Sequence, residues 1–195
     1  MVRSRFIFAA LIVLSAPALF GFGDAPIYLA VAIDSPFDER SARFSEELLG
    51  TWRLPNRSAM SPPTTLTLRR AVSDRRRYEV LAPWYFAHPV PARVYDFDDG
   101  WVMELAMDVR PENEGLFFPA RHFWGVKLDG NALTVVLLSV QVGYLVRSGT
   151  FKLPYELAAG TWVLTGTPDQ IKDALRLGQK RVKAPWVLTF ERSGK

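Results

Sequence analysis

His122-Phe123-Trp124-Gly125-Val126-Lys127-Leu128-Asp129-Gly130-Asn131-Ala132-Leu133-Thr134-Val135-Val136 is the stretch on which the fold turns. Asp129-Gly130-Asn131 tolerates the left-handed backbone of a tight turn, and apolar and aromatic residues flank it on both sides. This is the strongest hairpin signal in the chain. On the first arm Trp124, Val126 and Leu128 share one face. The second arm, Leu133 to Val140, is apolar on both faces, which makes it central or covered.

The same pattern extends outward. Trp101, Met103, Leu105 and Met107 alternate with Glu104 and Asp108, and Asp98-Asp99-Gly100 joins them to Val94–Phe97 in a second hairpin. Upstream, Leu66 and Leu68 alternate with polar neighbours, and Tyr78 and Val80 resume after Arg75-Arg76-Arg77. Pro55 to Thr64 and Pro111 to Gly115 read as loops, and Pro83, Pro89 and Pro91 mark an irregular connection. Downstream, Tyr144 to Arg147, Gly149 to Leu153 and Thr161 to Thr165 read as short strands. Trp186 to Arg192 reads as the last one, with Trp186, Leu188 and Phe190 on one face.

Two helices complete the pattern. Ser35-Pro36-Phe37-Asp38 starts a short amphipathic helix of about three turns, with Phe37, Phe44 and Leu48 at helical spacing, ending near Gly50. Thr167-Pro168-Asp169 opens the other, with an Ile171, Ala174 and Leu175 stripe and Gly178 at its close. The fold expected is therefore mainly β, with about eight to ten short strands, a short N-terminal helix and one helix before the last strand. Tight turns make the strands antiparallel. A sheet of that size and twist closes into an up-and-down barrel.

Composition narrows the function classes. The absence of cysteine excludes disulfides, thiolate metal sites, thiol nucleophiles and lipid attachment through cysteine. With two histidines, His88 and His122, no histidine cluster for a metal is expected. The formal net charge is +4, but Arg3 and Arg5 lie in the leading segment, leaving about +2, below the basic excess of a nucleic-acid binder. Arg75–Arg77 and Lys180-Arg181-Val182-Lys183 are local basic clusters, read either as solvated turns or as contacts to an anionic membrane surface.

Arg3 and Arg5 precede an uncharged run from Phe6 to Phe22, with small residues at Ala16-Pro17-Ala18. This is the pattern of a secretory signal peptide over residues 1–25, and an uncleaved membrane anchor is the competing reading. Either places the folded part, residues 26–195 as one domain, outside the cytoplasm, periplasmic or secreted.

Leu48-Leu49-Gly50-Thr51-Trp52 puts Gly-x-Trp at the start of the first strand of the meander. This resembles the lipocalins and their bacterial lipocalin-like relatives. The resemblance implies that Gly50 permits close backbone packing at the barrel floor, that Trp52 plugs the closed end, and that a cation near the last strand, Arg192 here, lies over the indole. It covers roughly residues 35 to 195. No Thr-Asp-Tyr-like second motif is present, and true lipocalins carry their helix after the eighth strand.

The chemistry of catalysis is sparse. There is no Gly-x-Ser-x-Gly elbow, phosphate loop or dinucleotide fingerprint. His88 sits in a proline-rich loop. His122 stands beside Phe123 and Trp124, and is the histidine expected at a barrel rim. Asp98-Asp99 fits a solvated turn, and Glu104 with Asp108 a solvent-facing strand side. No enzymatic activity and no cofactor are expected. Trp101, Met103, Trp124, Tyr144 and Trp162 are the candidate lining of a cavity for a small apolar ligand. A filled barrel acting as a membrane-anchored structural or assembly protein is the alternative, because both arrangements demand inward aromatics.

Overall fold

Trp52 and Met103 belong to strands of a single closed ring. The computed structural model describes residues 30–55, 64–107, 120–158, 161–181 and 186–194. The strands are β1 (Ala30–Ala32), β2 (Gly50–Arg53), β3 (Thr65–Arg70), β4 (Tyr78–Leu81), β5 (Val90–Phe97), β6 (Gly100–Met107), β7 (Ala120–Asp129), β8 (Ala132–Val136), β9 (Tyr155–Ala158), β10 (Thr161–Leu164) and β11 (Val187–Arg192). The helices are α1 (Leu138–Arg147) and α2 (Pro168–Lys180). Strands β2 through β8 follow one another as an antiparallel meander. β11 pairs with both β8 and β2 and so shuts an eight-stranded barrel.

Turn chemistry sets this path. Gly130 takes φ +56° between β7 and β8, and Asp98 takes φ +46° in the two-residue turn between β5 and β6. Both are left-handed positions of the sort that glycine and aspartate fill. The pleat then sorts side chains by face. Trp52, Leu66, Leu68, Tyr78, Val80, Met103, Leu105, Trp124, Val126, Leu133 and Phe190 form one core, inside the ring. Phe97, Val102 and Phe123 point outward and pack under α1 and α2 with Leu138, Val142, Ile171 and Leu175.

β1, β10 and β9 make a wing outside the ring. β1 runs parallel to β10 and touches β7 at Ala32 and Arg121, while β10 pairs with β9. β7 thus meets β8 over Gly125–Asp129 and β1 near Arg121, and Phe123 falls between these two partners. The Phe123 amide donates instead to the buried Ser139 hydroxyl of α1, at 2.8 Å. A side chain of the helix thereby completes the ladder at the branch point.

Three sequence expectations change. Leu138–Arg147 is helical where the apolar run and Tyr144–Arg147 read as strands, and Gly149–Leu153 is a turn and coil. The helix lies between the barrel and α2 and is buried on most sides, so its pattern has no polar face to reveal a helical period. The segment expected as a three-turn helix before Gly50 forms two single 3-10 turns, Glu39–Ser41 and Glu46–Leu48, capped by Asp38 and Ser45. α2 runs on through Gly178 to Lys180, because Gly178 packs against Val142 of α1 rather than ending the helix. Its start is as expected: Thr167 and Gln170 form a reciprocal capping box with Pro168 in the first turn.

The leader expected over residues 1–25, the loops expected at 56–63 and 111–115, Asp108 and Lys183 lie outside the described residues. Among the described residues no helix is long and apolar enough to cross a membrane.

Candidate functional site

At the floor, Gly50 opens β2 with φ +131°, a conformation that side-chained residues avoid. A Cβ placed there would meet the Arg192 guanidinium at 3.2 Å. That guanidinium lies 4.2 Å from the centroid of the Trp52 ring and donates to the carbonyls of Leu49, at 2.9 Å, and Glu47. The fully buried Trp52 indole donates to the Leu48 carbonyl at 3.0 Å. One cation therefore ties the last strand to the first through stacking and two backbone acceptors.

The interior is occupied. Between β4 and β5 the chain carries Ala82-Pro83-Trp84-Tyr85-Phe86-Ala87-His88-Pro89, and the three aromatics turn into the barrel mouth, each less than a tenth exposed. Trp84 stacks on Trp124 at 5.9 Å between centroids, and Phe86 stacks on it at 5.8 Å. Tyr85 meets Trp124 edge to face at 5.5 Å. The Trp84 indole donates to the Thr65 carbonyl of β3 at 2.9 Å, and Tyr85 and Phe86 amides both donate to the Ala82 carbonyl. The loop is thus a folded plug. Two prolines and a hydrogen-bonded turn hold it, and its three rings supply the apolar filling that the strands leave undone.

Polar atoms are trapped in the same nest. Among the described residues, His122 Nδ1, Trp124 Nε1 and the Tyr85 hydroxyl are buried without a completed hydrogen bond, and the Tyr85 hydroxyl faces the Trp124 indole. The rings of Tyr85 and Phe86 stand edge-on to His122 at 6.4 and 6.0 Å. Burial pulls the His122 pKa down to about 4, so the imidazole is neutral at ordinary pH. Burial pushes the Tyr85 phenol up; the nearby Trp124 indole opposes this slightly. Each uncompensated polar group of this sort costs about 1–3 kcal/mol.

The candidate lining residues separate. Met103 and Trp124 are buried inside the barrel, and Trp101 is half-buried against the same core. Tyr144 is on α1, against Trp186 at 5.7 Å, and Trp162 is on β10 in the wing, against Tyr155 at 4.2 Å. Tyr144 packs from α1 against the same core as Trp101, whereas Trp162 packs with the outer cluster, because the wing is not part of the ring. His88 is exposed at the outer edge of the plug. Trp84, Tyr85 and Phe86 are the interior residues the strand pattern missed. Three consecutive aromatics between prolines in a loop were the available signal.

Glu104 also departs from expectation. It faces outward from β6 but is almost fully buried under Ser35, whose hydroxyl it accepts. Burial raises its pKa, opposed by the Ser35 hydrogen bond and by Arg121 and Arg93. Among the described residues no cluster of three metal-ligating side chains occurs. No known protein family, curated protein or solved structure matches the chain.

Proposed function

We propose that this chain is an exported, lipocalin-like barrel that takes a small, flat, largely apolar molecule into its interior by displacing the Trp84–Phe86 plug. The observation carrying this reading is the gathering of His122 Nδ1, Trp124 Nε1 and the Tyr85 hydroxyl, the last two facing each other, in one aromatic nest inside a closed barrel with none of the three hydrogen bonds completed among the described residues. A core selected only for stability has no use for them, since apolar groups of the same shape would fill the space without the desolvation cost. A ligand with one or two polar atoms satisfies them and takes the place of the loop's rings against Trp124 and Met103. The plug comes from a loop, so it leaves without breaking a strand ladder. Binding is noncovalent, and no residue is assigned to bond making or breaking. The motif formed by Gly50, Trp52 and Arg192 is the support for the lipocalin-like reading. Arg3, Arg5 and the apolar run after them are the support for export.

The second reading is a filled structural barrel, retained at the membrane by its leader. The packing of Trp84 and Phe86 on both sides of Trp124 favours it. One experiment separates the two. Natively purified protein is titrated with a medium-chain fatty acid and with protoporphyrin while tryptophan fluorescence is followed, and native mass spectrometry looks for a co-purifying molecule. Saturable quenching that Trp124→Phe abolishes supports the binder. No co-purifying molecule and no quenching support the structural barrel. The mass of the mature chain reports whether the leader is removed.

A further inference from the structure

The outer wall of the barrel carries a second feature, independent of the interior. Between β5, β6 and β7 there is a pit of about 90 Å³ lined by Glu39, Arg77, Arg93, Glu104 and Arg121 with Pro91, Ala92 and Ala106. Register explains it. On the outward face Arg93 stands opposite Glu104, and Arg121 stands opposite Ala106. The methyl of Ala106 leaves a gap beside these long side chains. A water molecule occupies about 30 Å³ of liquid, so the pit holds more than one water and is large enough for a small polyatomic ion.

Its three arginines each face one carboxylate, but not equally well. Glu39 is taken by Arg93, which grips both of its carboxylate oxygens. Glu104 accepts from Ser35, and its other oxygen is 3.8 Å from Arg121 Nε, beyond hydrogen-bonding distance. Arg77 lies 3.0 Å from Asp74, but at an angle that leaves its Nε–H without an acceptor. Among the described residues, the Nε atoms of Arg77 and Arg121 are both buried with no hydrogen bond completed. A buried guanidinium N–H without an oxygen is costly, and planar guanidinium groups suit the oxygens of phosphate and carboxylate.

We propose that this pit is an oxyanion site, with the Nε–H groups of Arg77 and Arg121 as its donors and Arg93 as its fixed wall, taking a phosphoryl group. A tetrahedral oxyanion offers acceptors to donors arriving at once from β5, β7 and the connection before β4, which a planar carboxylate matches less well. Glu104 is the antagonist: ionised, it repels the anion, and burial already favours its neutral form. The site therefore strengthens when Glu104 is neutralised.

Isothermal titration of the full chain with inorganic phosphate at low ionic strength tests this. Saturable binding is expected in the wild type, at least tenfold weaker in Arg121→Gln and severalfold tighter in Glu104→Gln. The second variant guards against misfolding, because a damaged protein does not gain affinity. Vesicles of phosphatidylglycerol form a parallel arm: sedimentation with vesicles that free phosphate competes away, and that Arg121→Gln loses, assigns the group to a lipid headgroup. Binding of free phosphate alone assigns it to a soluble ion. No binding in either arm, unchanged affinity in Arg121→Gln, or weaker affinity in Glu104→Gln overturns the proposal.

Discussion

Acidification should destabilise this protein through His122, and by an amount the structure fixes. The imidazole is buried among Tyr85, Phe86 and Trp124, and its pKa falls to about 4. In the unfolded chain it returns to about 6.5. The unfolded state thus binds more protons between those values, and stability rises with pH across that window. The His122 contribution is fully present above pH 6.5 and is lost as pH falls toward 4. Between pH 7.5 and 5 the loss is about 2 kcal/mol, approaching about 3 kcal/mol near pH 4. Glu104 acts in the opposite sense, because its raised pKa favours the folded state at low pH, so the wild-type curve alone is a mixture. The comparison is with His122→Phe, which keeps an aromatic ring in the nest and cannot titrate. Urea unfolding at pH 7.5, 6 and 5 reads the difference. With a slope of about 2 kcal/mol per molar urea, the wild-type midpoint should fall by about 1 M more than that of the variant over this range. Parallel curves for the two proteins would refute a buried neutral His122, as would a His122 ring that titrates near 6.5 by NMR.

Other consequences are read by the same unfolding assay. Arg192→Ala removes the cation over Trp52 and leaves two carbonyls without their donor, and is expected to cost about 2–4 kcal/mol; Arg192→Lys recovers only part, since one ammonium does not reproduce the fork. Ser139→Ala strands the Phe123 amide at the branch point of β7 and is expected to cost about 1–3 kcal/mol, with faster hydrogen exchange at Phe123. Trp84→Ala empties the centre of the plug and is expected to cost about 3–5 kcal/mol, with increased binding of a hydrophobic dye such as anilinonaphthalene sulfonate.

The barrel was legible where local chemistry and pattern agree. Asp129-Gly130-Asn131 turns where it reads as a turn, and the alternation in β6 places Met103 inside. Thr167-Pro168-Asp169-Gln170 carries a complete helix start in four residues. α1 was not legible, because a helix covered by the barrel on one side and α2 on the other loses the polar stripe that betrays helical period. The plug was hidden for a different reason. Periodicity reports regular elements, and Trp84, Tyr85 and Phe86 are in none. The one signal for an inward loop is the cost of exposing three adjacent aromatics, and alternation does not register it. The pit over Ala106 depends on cross-strand register between residues of β5, β6 and β7, which alternation along any one strand does not contain.

Incorporating 5-fluorotryptophan at the six tryptophans, with Trp84→Phe and Trp124→Phe to assign two of the signals, lets fluorine NMR follow the plug while a medium-chain fatty acid and protoporphyrin are added in turn. The expected result is a Trp84 signal shielded from solvent in the free protein that becomes solvent-accessible as one of these molecules saturates, with Trp124 shifting at the same concentration. A Trp84 signal already exposed without ligand, or one that stays shielded and unshifted with both molecules in excess, would contradict the displaceable plug.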